Sequence, residues 1–417
     1  MNIAVKFLIF AGMMLLCMEA TVSAPPETVD VTQAADANNQ FGFELLRTFQ
    51  KAEHSDANIV VSPFSITSAL RMVLAGARGE TASEIMSTLH LTADGSANHI
   101  EYSALSNSLA ESAAEGESIL RFPGRLWGSP GPDYQPTFLA VLRQTFGAEL
   151  FVLNFAGGPD RAVREINRWI AEQTSGHIRD LASPQMINSD TTLLLTNAVY
   201  FRGQWLRPFF VESTVEHPFR VARDVTETVQ MMRQSGQFRY LKTDDLELLN
   251  LPYRGDRLSL VVILPSDPET LTELVARMNA DRIRSLLTRA ELTSVDVSLP
   301  KFSAATSCSL KERLMHLGMT QAFGSTADLS AMTGKSNLYL TDVAHQTFIS
   351  VDEFGTEAAS ATGVVIAKSA DEPMASFVAD HPFLFLLIDQ KTGTILFQGR
   401  IQHPMESNPA RSEQQNN

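Results

Sequence analysis

The stretch VDEFGTEAASATGVVIAKSADEPMASFVADHP, residues 351–382, decides how the whole 417-residue chain is read. As a strand it alternates faces with a period of two. Thr356, Ala358, Ser360, Thr362, Val364 and Ile366 then share one side, and all are uncharged and small or β-branched. The other side carries Glu357, Ala359, Ala361, Gly363, Val365 and Ala367, with its one charge near the beginning. The first half is nearly bare of large side chains, so little pins it to a core. A long exposed segment able to become a strand is ordinarily an aggregation hazard. Taken alone, it reads as an Ala/Thr-rich surface loop or an ordinary strand.

The surrounding residues change that reading. Glu353, Gly355, Thr356, Glu357, Ala358, Ala359, Ala361 and Thr362 resemble the proximal hinge of the reactive loop in serpins. Phe377, Ala379, Asp380, His381, Pro382, Phe383, Phe385, Leu396, Phe397 and Gly399 resemble the block that closes the serpin domain. Upstream, Ser62-Pro63, Ser65, Gly76-Ala77, Gly79 and Thr81 are similar to its N-terminal block, and Asn197 to Trp205 to its central strand. The resemblance runs from about Phe41 to Pro404. It implies an α+β fold: a single serpin domain over 25–404 with a large central mixed β-sheet, surrounding helices, smaller sheets and an exposed mobile reactive loop at about 355–376. It also implies roles for single residues. Ser62, Asn197 and His345 match the shutter, a polar cluster under the place where the sheet parts, and Trp205 matches the breach, where the loop first enters.

Local patterns supply elements independently. Ile66, Ala69, Leu70, Val73 and Leu74 fall on one helical face; Gly76 and Gly79 end that helix, and Thr81 caps a second with Glu84 in the capping-box position. Ser62 and Ser65 lie in no nucleophile-elbow glycine pattern and read as structural hydroxyls. Arg161 to Ile178 is an amphipathic helix, and Thr191 to Tyr200 a buried strand in which Asn197 is costly unless fully hydrogen-bonded. Leu246 to Pro265 reads as a hairpin around residues 252–256, Ser294 to Phe302 as a strand, and Leu310 to Leu317 as a helix stopped by Gly318.

At the N-terminus, Lys6, the apolar run Phe7 to Cys17 and the small residues Val22-Ser23-Ala24 form a secretory signal over 1–24, with a cut near Ala20 as the other option. The expected location is extracellular. Met405 to Asn417 is a polar tail expected to be disordered. A formal charge of −14 argues against nucleic acid and anionic membranes as partners. Between Arg78 and Arg121 there is no Lys or Arg, so heparin is not expected on the helix that carries basic residues in heparin-binding serpins. Once Cys17 leaves with the signal, Cys308 has no intramolecular partner, which excludes a disulfide framework. No metal-ligand motif or catalytic triad signature is present, and no cofactor is expected. Gly334-Lys335-Ser336 imitates a phosphate loop, but Leu329 stands where glycine is required.

The resemblance implies a monomeric suicide inhibitor of a serine protease, with no catalytic residues of its own. The protease attacks the loop, forms an acyl-enzyme, and is carried off as the freed segment from Thr356 onward enters the sheet. Fourteen or so strand residues span roughly 45 Å. The family spacing of fourteen residues after Gly355 makes Ser369 the primary-specificity residue, followed by Ala370. One register earlier gives Lys368, which favours trypsin-like over elastase-like enzymes because their pocket holds a carboxylate. Three departures stand out: Phe354 at a hinge position usually polar or charged, Ser360 for alanine, and Arg125 where asparagine is common. The alternative is a non-inhibitory member that carries a small hydrophobic ligand or acts as a chaperone-like binder.

Overall fold

The computed structural model describes residues 29–50, 57–92, 95–335, 338–356 and 374–404. Its organising strand is Leu193–Gln204, an apolar run buried along nearly its whole length. A strand can be that apolar only when both faces are covered. Gly124–Gly128 lies antiparallel on one edge, with Leu150–Val152 parallel beyond it. On the other edge Leu340–Asp352 runs parallel, followed by Phe302–Ser309 antiparallel. This sheet is mixed, as expected.

A second sheet runs in the order Ile59–Val61, Ile395–Ile401, Phe383–Asp389, Leu258–Pro265, Leu246–Pro252, Val225–Lys242, Glu291–Pro300 and Ala375–Val378, with Val215–Ala222 paired to Val225–Lys242. The expected smaller sheets are thus joined through one 18-residue strand, Val225–Lys242. The predicted hairpin is present, Leu246–Pro252 pairing antiparallel with Leu258–Pro265.

Helix Pro63–Gly76 packs between the two sheets, against Leu193–Gln204 and Ile395–Ile401. Its start is set by Ser62, whose hydroxyl accepts from the Ser65 N–H, and by proline in the first turn, where a missing N–H costs nothing. The next helix departs from expectation. It spans Gly79–Thr88, so Thr81 lies inside it rather than at its cap. The Thr81 hydroxyl instead accepts from Asp328 N at 2.9 Å, and Glu84 accepts from Thr320 N and Gln321 N, both at 2.7 Å. Tertiary partners thus take up the two side chains of the apparent capping box. The amphipathic helix ends earlier than read, as Pro159–Gln173, because the Thr174 hydroxyl donates to Ile170 O and accepts from Ile178 N.

The expected leader 1–24, the expected tail 405–417 and loop residues 357–373 lie outside the described residues. That includes Glu357, Ala358, Ala359, Ser360, Ala361, Thr362, Lys368, Ser369 and Ala370. Among the described residues no helix is long and apolar enough to cross a membrane, and no cluster could hold a metal ion. Cys308 is a half-buried thiol whose pKa burial pushes up to about 11, which makes it a poor nucleophile.

Candidate functional site

The parallel strands Leu193–Gln204 and Leu340–Asp352 meet in a seam, and the predicted polar residues lie along it. Asn197 and His345 are direct partners in the strand register, and both are buried. Their hydrogen bonds fix each other's chemistry. Asn197 Nδ2 donates to the Ser65 carbonyl at 2.8 Å and the Ser65 hydroxyl at 2.5 Å. A carbonyl can only accept, so the amide oxygen must face the other way, toward His345 Nδ1 at 2.8 Å. That nitrogen therefore carries the proton. His345 Nε2 is left as an acceptor for the Thr347 hydroxyl at 2.6 Å and, more distantly, the Ser62 N–H at 3.5 Å. Burial holds the imidazole neutral, pushing its pKa down to about 3.

Ser62 and Ser65 tie this pair to the helix below. The Ser62 hydroxyl donates to Leu396 O at 2.6 Å, and the Ser65 hydroxyl to Ala198 O at 3.1 Å. One connected cluster therefore links both strands of the seam, the helix N-terminus and the second sheet. Neither serine is activated as a nucleophile. Thr347 sits two residues from His345 and so on the same strand face, which is the one local sign that joins it to the cluster.

At the top of the seam a third strand intervenes. Gly355–Thr356 pairs with Asp352 and Val351 on one side and with Gln204 and Gly203 on the other. The turn into it is made by Asp352, whose Oδ1 accepts from the N–H groups of Phe354 and Gly355 at 2.8 and 3.1 Å. Burial pushes this carboxyl's pKa up while those two bonds act against it. Gly355 has φ +151° and a Cβ there would lie 2.0 Å from Gly203 O, so only glycine fits. Thr356 is fully buried, its hydroxyl 2.6 Å from that of Tyr253.

Trp205 frames this end of the seam. Its indole stacks on Tyr253 with ring centroids 4.5 Å apart, and its Nε1 donates to Asp352 O at 2.9 Å. Its backbone N–H donates to Phe354 O, also at 2.9 Å. Glu353 is buried and satisfied twice, by the Thr214 hydroxyl at 2.8 Å and by Lys301 Nζ at 3.2 Å. Phe354, the apolar departure, is half-buried and engaged through its backbone on both sides. The structure thus brings Glu353, Gly355, Thr356 and Trp205 together at one end and Ser62, Asn197 and His345 at another. Tyr253, Lys301 and Thr214 were missed. Tyr253 reads from the sequence only as part of a hairpin turn, and nothing local to Lys301 or Thr214 points to a carboxylate far away in sequence.

A mixed sheet whose parallel central strands are held by a buried polar cluster, with a glycine-led strand wedged at one end, defines the class. The family model described as "Serpin (serine protease inhibitor)" matches residues 36–404, and the chain belongs to that family. Leukocyte elastase inhibitor of Bos taurus is 39% identical over 382 residues, which cover 89% of this chain and 100% of that protein. The Homo sapiens protein of the same name is 35% identical over 384 residues, with the same coverage of 89% and 100%. Among solved structures, Serpin48 of Tenebrio molitor has a TM-score of 0.79 at 30% identity, covering 88% of this chain and 97% of its own. Uncleaved ovalbumin has a TM-score of 0.81 at 28% identity, covering 89% and 99%. Within its family the chain is therefore placed among protease inhibitors, not catalytic enzymes.

Proposed function

We propose that the chain is a secreted suicide-substrate inhibitor of serine endopeptidases. The protease serine attacks a carbonyl between residues 368 and 370, the peptide bond breaks, and the new C-terminal segment leaves as the amine. The acyl-enzyme ester then holds the protease to the segment that begins at Thr356. Insertion of that segment along the seam carries the protease away before water can hydrolyse the ester. The observation that supports this most is the geometry at the top of the seam, where Gly355 and Thr356 already pair on both sides. A strand continued from there needs no new point of entry, and small uncharged residues such as Ala358 and Ser360 cost little to desolvate. Secretion rests on the leader sequence of residues 1–24.

Two cleavage registers divide the target. Lys368 suits a trypsin-like pocket, and Ser369 followed by Ala370 suits an elastase-like one. The names of the leukocyte elastase inhibitors favour the second register. Incubating the mature protein with trypsin and, separately, with pancreatic elastase tests both. An SDS-stable complex with a released C-terminal peptide is expected, and the mass of that peptide identifies the bond. Cleavage without a complex across a wide set of serine proteases rejects the inhibitory reading.

A further inference from the structure

A cavity of about 370 Å³ opens beside the central sheet, between strand Gly124–Gly128 and the helices Pro136–Phe146 and Pro159–Gln173. This is within the size range of small-molecule pockets. Its wall combines Phe122, Phe146 and Trp169 with two cations, Arg125 and Arg143, and one carboxylate, Glu149. Arg125 is the departure noted in the sequence.

The setting of Arg125 is unusual for a structural arginine. Its guanidinium carbon lies 4.5 Å from the ring centroid of Trp169, 5.2 Å from that of Trp127 and 5.5 Å from that of Phe151. Such stacking engages the π-faces but leaves the in-plane N–H donors unused. Among the described residues no acceptor meets them, and neither Glu149 nor Glu172 comes within ion-pair distance, although both act on Arg125 through space. Burial nonetheless has the largest effect, pushing its pKa below the usual arginine value. A second donor in the wall, the buried Trp169 Nε1, also has no acceptor. Arg125 and Trp169 both line this partly apolar cavity, and a rigid fork of N–H donors without acceptors is the group that a planar carboxylate fits with two parallel hydrogen bonds.

We propose that this cavity binds a small amphiphilic carboxylate, its acid group forked on Arg125 with Arg143 adding charge, and its apolar body against Phe122, Phe146 and Trp169. The site is separate from the seam and does not depend on the inhibitory reading. A protease inhibitor could carry it as readily as a non-inhibitory relative.

The probe is 2-naphthoate titrated into the whole protein by calorimetry, with 2-naphthamide as the neutral isostere. Saturable one-to-one binding of the acid is expected, with the amide weaker by about tenfold or more. Arg125→Gln should reduce acid binding by a similar factor, and Arg143→Glu, at the exposed rim, by about fivefold. No saturable binding, an acid-to-amide ratio under about threefold, or unchanged affinity in a folded Arg125→Gln protein overturns the proposal. Should Arg125→Gln fail to fold, the acid-to-amide ratio and Arg143→Glu decide together, and unchanged affinity in the latter rejects the site.

Discussion

The lower and upper halves of the seam are built on opposite plans. Below, Leu340 to Thr347 pair directly with Leu193 to Val199, and the buried His345–Asn197 pair bolts them to the helix beneath. Above Thr347 and Val199 the same two strands no longer pair with each other, and at Val351, Asp352, Gly203 and Gln204 they pair instead with Gly355 and Thr356, which lie between them. The lower half therefore has to lose hydrogen bonds before anything can enter, whereas the upper half has already exchanged its own for bonds to a third strand. The difference teaches where resistance lies. In the proposed insertion, entry at the top would add to an existing ladder, and progress downward would have to break a buried polar cluster whose groups cannot be left unpaired cheaply.

The sharpest way to break this comparison is to deny the upper half its wedge. Thr356 is fully buried and tied to Tyr253 through its hydroxyl. Arginine at this position must either bury an unpaired charge or stay outside the sheet, and the second is far cheaper. We expect Thr356→Arg to keep the fold but lose trapping, raising the moles of inhibitor consumed per mole of protease inactivated by about tenfold or more. The gel assay for SDS-stable complex measures it, with the thermal transition as a check on folding. A variant that still traps protease one-to-one would falsify the role assigned to the wedge.

How much of this was legible beforehand follows from the same contrast. The buried strand, the hairpin and the helix after Pro63 could be read because period and punctuation are local properties of the chain. His345, Asn197 and Ser62 were reached only through the family resemblance, since a histidine in an apolar strand carries no local sign of its partners. Thr81 and Glu84 show the opposite failure: a local capping pattern is present, and Asp328 takes the first side chain while Thr320 and Gln321 take the second. Gly355 and Thr356, the last described residues of the expected hinge, pair on both sides in the sheet. What supports it, from Lys301, Thr214 and Tyr253, comes from three other segments that nothing in the sequence aligns.

The lower half makes a prediction in pH. The folded imidazole of His345 titrates at about 3, against an ordinary value near 6.5 in the unfolded chain. The unfolded state therefore takes up the proton first. Stability that depends on the neutral ring is complete above about pH 6.5 and drains away between there and pH 3, at roughly 1.4 kcal/mol per unit. His345→Gln keeps a donor for Asn197 and does not titrate. At pH 7.5 it should cost about 1–3 kcal/mol through imperfect geometry. Its deficit relative to the unaltered protein should then shrink as the pH falls to 5. Urea unfolding of both proteins at pH 7.5, 6 and 5 measures the difference, which cancels the other titrating groups. A deficit that stays constant with pH shows that His345 is not held neutral.

The smallest effect returns to the upper half. Tyr253→Phe removes one hydroxyl and leaves that of Thr356 buried without its partner at 2.6 Å, while the stacking on Trp205 is retained. The cost is that of one unsatisfied neutral group, about 1 kcal/mol. It falls on the wedge and not on the His345 cluster. If the halves are as separate as their bonding suggests, amide exchange should rise at Gly355 and Thr356 with no change at Asn197 or His345. Combining Tyr253→Phe with His345→Gln should then give additive losses, since side chains without a shared partner couple weakly. A coupling energy above about 0.5 kcal/mol would mean that the wedge is felt along the whole seam, and that loosening the hinge also loosens the cluster that resists insertion.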